Sequence, residues 1–139
     1  MSSVMGTARR SIEPTVFDAA TSLLRGGFSH TSSRYHFPLQ VVCPYSGAED
    51  VTPIALSTDA TVWGWTVVTA APPGYAGPVP YGFGVVELSH EKLRLVTRLQ
   101  ITDPAELSFG DAMRLVAEVV GHDDDGTEVV VWAFAKVAQ

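Results

Sequence analysis

From Leu93 to Ile101 apolar and polar residues alternate without a slip. Leu93, Leu95, Thr97, Leu99 and Ile101 fall on one side, and Arg94, Val96, Arg98 and Gln100 on the other. This is the two-residue period of a strand with one face in a core. A second β-rich run, Phe83–Leu88, precedes it, and Ser89-His90-Glu91-Lys92 separates the two, which predicts a β-hairpin. Three more runs have strand character. TVWGWTVVT at 61–69 places Trp63, Trp65 and Val67 on one face, and Ala112–Val120 and Thr127–Val137 follow further on. Between the third and fourth runs, Asp103-Pro104-Ala105-Glu106-Leu107 reads as a single helical turn, with Asp103 as N-cap and Pro104 at the first helical position.

Five strands with a short helical piece between the third and fourth is the order of an OB-fold barrel. A sandwich normally needs about seven strands, and no βαβ rhythm or internal repeat is present. The predicted barrel occupies residues 58–139. Ahead of it the texture changes. Residues 1–27 read as a mobile N-terminus followed by a docking helix, because Val16, Phe17, Ala20, Leu23 and Leu24 follow helical spacing. Thr15 and Asp18 resemble a capping box, and Gly26-Gly27 a left-handed stop. Residues 28–57 are short apolar pieces punctuated by Pro, Gly, Ser and His, the texture of a small irregular module. Length and turn placement suit a zinc ribbon, but the residues do not. The second knuckle reads Cys43-Pro44-Tyr45-Ser46, and Ser29 and Ser32 stand where a first knuckle would sit. Serine hydroxyls do not replace thiolates on zinc. The fold class predicted is therefore mainly β: a five-stranded OB barrel preceded by an N-terminal helix and a degenerate ribbon.

Composition narrows the function. The 139 residues are 46% hydrophobic and 17% charged, a globular balance. A formal net charge of −6 argues against a general nucleic-acid binder, whose affinity rests on clustered Lys and Arg. One cysteine excludes an internal disulfide and fits a reducing compartment. No apolar signal region opens the chain, and the longest apolar run, Val129–Ala135, is too short to cross a bilayer. The expectation is a cytoplasmic protein without membrane or nucleic-acid partners.

Several segments resemble the acyl-CoA-associated OB-fold proteins with an N-terminal rubredoxin-like zinc ribbon, the domain of unknown function 35 family. They are His36-Phe37-Pro38 before Val41-Val42-Cys43-Pro44, then Thr61–Val68, Pro80-Tyr81 with Val85-Val86-Glu87-Leu88, Leu95–Leu99 and Asp103–Leu107. The resemblance runs from about Ser11 to the C-terminus. It implies a small accessory subunit, without catalytic residues of its own, in a hetero-oligomer with a thiolase-like enzyme or a related acyl-CoA hydratase or aldolase. It also implies an acyl-CoA ligand shared with that partner, in lipid or polyketide metabolism. The chain departs from the family at the metal site, where only Cys43 is a ligand-type residue and Ser29, Ser32 and Ser46 fill the other positions. Zinc is accordingly not carried over, and no cofactor is expected.

Each candidate site has an ordinary alternative. Lys92, Arg94 and Arg98 fall on one outward face, fit to meet CoA phosphates or a partner's carboxylates, or simply a solvated sheet face. Tyr75, Pro80 and Tyr81 sit in a Pro/Gly-rich loop, either a low-entropy apolar binding surface or a plain connection. Trp63 and Trp65 make either a base-stacking platform or core packing. Cys43 with His30 and His36 is a reduced metal site or a thiol beside loop histidines. Asp123–Gly126 is a calcium loop without its glutamate, or a hairpin tip. No Gly-x-Ser-x-Gly occurs and nothing activates Cys43 as a nucleophile. Two other functions stay open: a stand-alone acyl-CoA or small-ligand binder, and a nucleic-acid-binding OB module.

Overall fold

The computed structural model describes residues 8–74 and 78–137. Ten strands carry the fold: β1 Arg9–Ser11, β2 Phe17–Asp18, β3 Leu23–Ser29, β4 Arg34–His36, β5 Val51–Ala55, β6 Asp59–Val68, β7 Tyr81–Leu88, β8 Leu93–Leu99, β9 Ala112–His122 and β10 Glu128–Lys136. Strands β6 to β10 close on themselves. β6, β7 and β8 form an antiparallel meander, β10 joins β8 in parallel, and β9 pairs with both β10 and β6. The result is the five-stranded OB barrel expected from the strand order. A short 3-10 turn, Pro104–Glu106, sits between β8 and β9. It is capped reciprocally by the Asp103 and Glu106 side chains, because the capping-box residues satisfy the turn's free N–H groups.

The alternation of β8 translates directly into burial. Leu95, Thr97, Leu99 and Ile101 are buried, and Arg94, Val96 and Gln100 are exposed. In β6 the alternation breaks. A bulge between Val62 and Gly64 reverses the phase, since Val62 pairs with Val86 but Gly64 pairs with Val85. Val62 is fully buried, Trp63 turns outward and Trp65 packs against the core. The two tryptophans therefore do not share a face, contrary to the unbroken period-two reading.

Among the described residues no helix forms near the N-terminus. Residues 16–24 instead fold as a tight hairpin, with Phe17 opposite Leu24 and Asp18 opposite Leu23. Seven-residue spacing puts two side chains on one face of a helix, and it also makes them cross-strand neighbours here. The amphipathic pattern was ambiguous between the two. Tertiary pairing decides it, because β3 hydrogen-bonds to β2, β4 and β5. The Asp18 carboxylate accepts the N–H of Ala20 (2.9 Å), a local turn rather than a helix cap. Gly26 and Gly27 are not a helix stop but points of close approach. A Cβ on Gly26 would lie 2.8 Å from the His36 carbonyl oxygen, and one on Gly27 2.5 Å from the His36 ring. Residues 9–11, expected to be mobile, form β1 parallel to β10, with Arg9 opposite Glu128 and Ser11 opposite Val130. Arg10 reaches the Asp123 carboxylate at 2.7 and 2.9 Å.

β2 to β5 make a small sheet that lies on the barrel. One core runs through both, with Phe17, Leu24 and Leu56 joining Val62, Val86, Leu88, Met113 and Phe134. The ring of Trp132 from β10 meets Phe17 at 6.5 Å and Phe37 at 6.0 Å. Among the described residues no helix is long and apolar enough to cross a membrane.

Candidate functional site

Three of the residues singled out by sequence, Tyr81, Arg94 and Arg98, lie on β7 and β8. Arg94 and Arg98 both project from the outer face, with Val96 between them at 61% exposure. Neither arginine is a bare charge. The Arg94 guanidinium lies over the Trp63 ring at 3.8 Å and pairs with Glu87 at 3.4 Å. Arg98 lies over the Tyr81 ring at 4.2 Å and is bound through Nε to Glu118 at 2.9 Å. Glu118 comes from β9, twenty positions away, and no local pattern announces it. Lys92 departs from the row. It adopts a left-handed backbone (φ 58) at the hairpin tip and lines a separate cleft with Ser33 and Arg34.

Pro80, Tyr81 and Arg98 meet in one groove of about 340 Å³, closed by Ile101, Thr102 and Glu118. Tyr75 lies outside the described residues. Beside this groove is an apolar pocket of about 200 Å³ in which Ile12, Phe83, Val96, Val131 and Trp132 converge. Trp63 and Phe109 extend the exposed aromatic surface, their rings 5.1 Å apart. Phe83, Phe109 and Ile12 had no individual signal in the sequence. Phe83 reaches the outer face by the alternation of β7, and Ile12 joins it through the seating of β1 beside β10. The Trp65 indole N–H donates to the Pro104 carbonyl at 2.9 Å, so that ring buttresses the barrel instead of presenting a stacking face.

The ribbon positions converge as well. The Cys43 Sγ accepts the backbone N–H groups of Tyr45 and Ser46, both at 3.4 Å, and lies 3.6 Å from the Ser32 Oγ. Burial works against ionising this thiol. The hydroxyls of Ser29, Ser46 and Ser32 and the Ser46 N–H together outweigh it, and the Cys43 pKa falls from 9.0 to about 6. One thiol and three hydroxyls do not fit a zinc ion, which takes about four N or S donors in such sites. The histidines are engaged elsewhere, His30 with Thr52 at 2.8 Å and His36 with the Gln40 N–H at 3.2 Å. Among the described residues no three His, Cys, Asp or Glu side chains group as a metal site. At the acidic turn Asp123 is held by Arg10 and the Asp125 carboxylate accepts the Thr127 N–H, the arrangement of a hairpin tip.

With this geometry in place, relatives can be compared. Residues 53–118 match the family model of the ChsH2 C-terminal OB-fold domain. A DUF35 domain-containing scaffold protein from Pyrococcus furiosus is 24% identical over 102 residues, covering 73% of this chain and 74% of that protein. Among solved structures, the Ltp2–ChsH2(DUF35) aldolase superposes with a TM-score of 0.66 at 22% identity, over 86% of this chain and 88% of that one. A DUF35-family protein from Sulfolobus solfataricus aligns with a TM-score of 0.48 and 12% identity, over 80% of this chain and 78% of that one. The fold is thus like that of the Ltp2–ChsH2(DUF35) aldolase chain, with an OB-fold domain over residues 53–118.

Proposed function

We propose that this chain is a non-catalytic accessory subunit. In this reading it docks through the outer β7–β8 face onto a thiolase-like enzyme, or a related acyl-CoA hydratase or aldolase, and helps shape the acyl-CoA channel of a cytoplasmic hetero-oligomer. The observation that carries the reading is the exposed apolar set Ile12, Phe83 and Val96, bordered by the Arg94–Trp63 pair and by Arg98. Aromatic and arginine side chains around an apolar centre are the composition of protein interfaces, and a soluble monomer gains nothing from exposing them together. The names of the relatives point the same way, one a scaffold protein and one part of an aldolase assembly. The ribbon is proposed to hold its shape without zinc, through the hydrogen bonds gathered on Cys43.

Co-expression with the thiolase-like or aldolase proteins of the same cell, followed by co-purification, tests the proposal. A stable complex whose activity depends on this chain is the expected result. Turnover of an acyl-CoA by the isolated polypeptide would sink it. The groove formed by Pro80, Tyr81 and Arg98 favours a second reading, a stand-alone acyl-CoA binder. Calorimetric titration with CoA esters separates the two, since only the second predicts tight binding without a partner.

A further inference from the structure

Nine lysines and arginines are present in the chain, and six of them make ion pairs: Arg9, Arg10, Arg94, Arg98, Arg114 and Lys136. Two of the other three, Arg34 and Lys92, make no ion pair among the described residues, yet they line the same cleft. This cleft, of about 350 Å³, lies where the hairpin tip of the barrel faces the small sheet, and Ser33, Tyr35, Tyr45 and His90 complete its walls. Its volume is at the lower end of the small-molecule range. Ser33 and Lys92 both hold left-handed backbone conformations (φ 55 and 58), which non-glycine residues adopt at a cost. The Arg34 guanidinium is laid flat on the Tyr45 ring at 3.8 Å, and the Tyr45 hydroxyl is fixed on the Tyr35 carbonyl at 3.1 Å. The Arg34 guanidinium is thus held in place, Lys92 lines the same cleft, and neither makes an ion pair among the described residues.

Glu91 adds an independent signal. It also lines the cleft and is only 6% exposed. Its Oε2 accepts the Ser57 N–H at 2.7 Å, while its Oε1 is buried with no hydrogen-bond partner among the described residues. A buried carboxylate oxygen without a donor is costly and calls for an N–H or O–H from outside. Inorganic phosphate can offer only the P–O–H of the very group that Arg34 and Lys92 would hold, with no donor set apart from it. A phosphate ester on a sugar has such a donor.

We propose that this cleft binds a small phosphomonoester that also carries a hydroxyl or amine donor. The phosphate meets Arg34 and Lys92, and the donor meets the Glu91 carboxylate once that side chain, buried in this structure, turns toward the cleft. Guanidinium and ammonium groups are the usual partners of a phosphomonoester. A nucleoside monophosphate and a sugar phosphate share this chemistry, and the tyrosine walls give a base something to pack on. The inference does not rest on the partner reading, because it concerns the isolated chain and a different face of it.

Calorimetric titration of the purified full-length chain with AMP, ribose 5-phosphate, adenosine and inorganic phosphate tests it. AMP and ribose 5-phosphate are expected to bind, with adenosine and inorganic phosphate at least tenfold weaker. AMP stronger than ribose 5-phosphate assigns a role to the base, and equal affinities assign the site to the sugar phosphate alone. Arg34→Ala and Lys92→Ala, both at solvent-facing positions, are each expected to weaken binding about tenfold while lowering the thermal midpoint by a few degrees at most. Lack of binding by both esters, or binding indifferent to both substitutions, would overturn the proposal. Inorganic phosphate matching AMP would overturn the part assigned to Glu91.

Discussion

Trp63 and Arg94 come from different strands and meet with the guanidinium carbon over the indole ring, 3.8 Å from its centre. They meet because the β6 bulge pushes Trp63 out of the core just where Arg94 leaves it. At an exposed site such a pair contributes only about 0.5–1 kcal/mol to folding. At the centre of an interface the same pair is a candidate hot spot. Trp63→Ala is therefore expected to lower stability by about 1 kcal/mol or less. It should weaken partner binding by about 2 kcal/mol, roughly thirtyfold in Kd. Thermal melts alongside surface-plasmon titration against the partner measure both. Unchanged partner affinity would move the interface elsewhere.

Val96→Glu offers a sharper contrast. The side chain is exposed, so the isolated protein should fold within about 0.5 kcal/mol of the parent. A carboxylate at the centre of the apolar patch should nonetheless abolish co-purification. A variant that keeps its partner would argue against docking through β8.

Phe17 is fully buried and touches the barrel through Trp132. Phe17→Ala is expected to cost about 3–5 kcal/mol, the usual range for emptying an aromatic core position. Urea unfolding should remain a single transition, since the same core serves both sheets. Two separated transitions would show that the small sheet melts on its own.

The Cys43 thiol gives a pH signature. Its folded pKa, about 6, lies below the ordinary 9.0. Between these values the unfolded chain holds a proton that the folded chain has released, so stability rises with pH across the window. The contribution is complete above the unfolded value and is lost as pH falls through about 6. Urea midpoints across that range should climb in the parent and climb less in Cys43→Ala. Parallel slopes would mean that the thiol does not ionise.

The convergence of three serines on the Cys43 sulfur also predicts what chemistry they lack. In a tetrahedral thiolate site with Zn–S of about 2.3 Å, neighbouring sulfurs sit about 3.8 Å apart. Ser32 Oγ is already 3.6 Å from Cys43 Sγ. Changing Ser29, Ser32 and Ser46 together to cysteine should therefore create a site that takes up about one zinc per chain and raises the thermal midpoint. The parent should take up little. Elemental analysis of both proteins, purified without immobilised metal, decides the matter.

Where one residue's neighbours are close in sequence, the fold was legible. The strict alternation over Leu93–Ile101 became buried and exposed faces in that order, and Asp103-Pro104 with Glu106 became a capped turn. The N-terminal hairpin was not legible, because Phe17 and Leu24 have a spacing that suits a helix and a two-strand turn equally. Only the pairing of β3 with distant β5 distinguishes them. Trp63 misled for a related reason, since a one-residue bulge leaves no mark in an apolar run. The candidate arginines were found where expected on β8, but their partners Glu87 and Glu118 lie on other strands. Whether a cation is free or neutralised depends on tertiary register, which alternation does not encode.

The three-residue strand at Arg9–Ser11 has a practical corollary. β8 hydrogen-bonds β10 only around Ala133 and Phe134, so the stretch Glu128–Val130 has β1 as its cover on that side. Proteolytic trimming to Ile12 would uncover a run of unsatisfied backbone donors and acceptors beside an apolar patch. Such a seam invites a strand from a second molecule. A preparation clipped there should associate with itself, and a storage lot that turns cloudy would be explained by its first dozen residues rather than by its barrel.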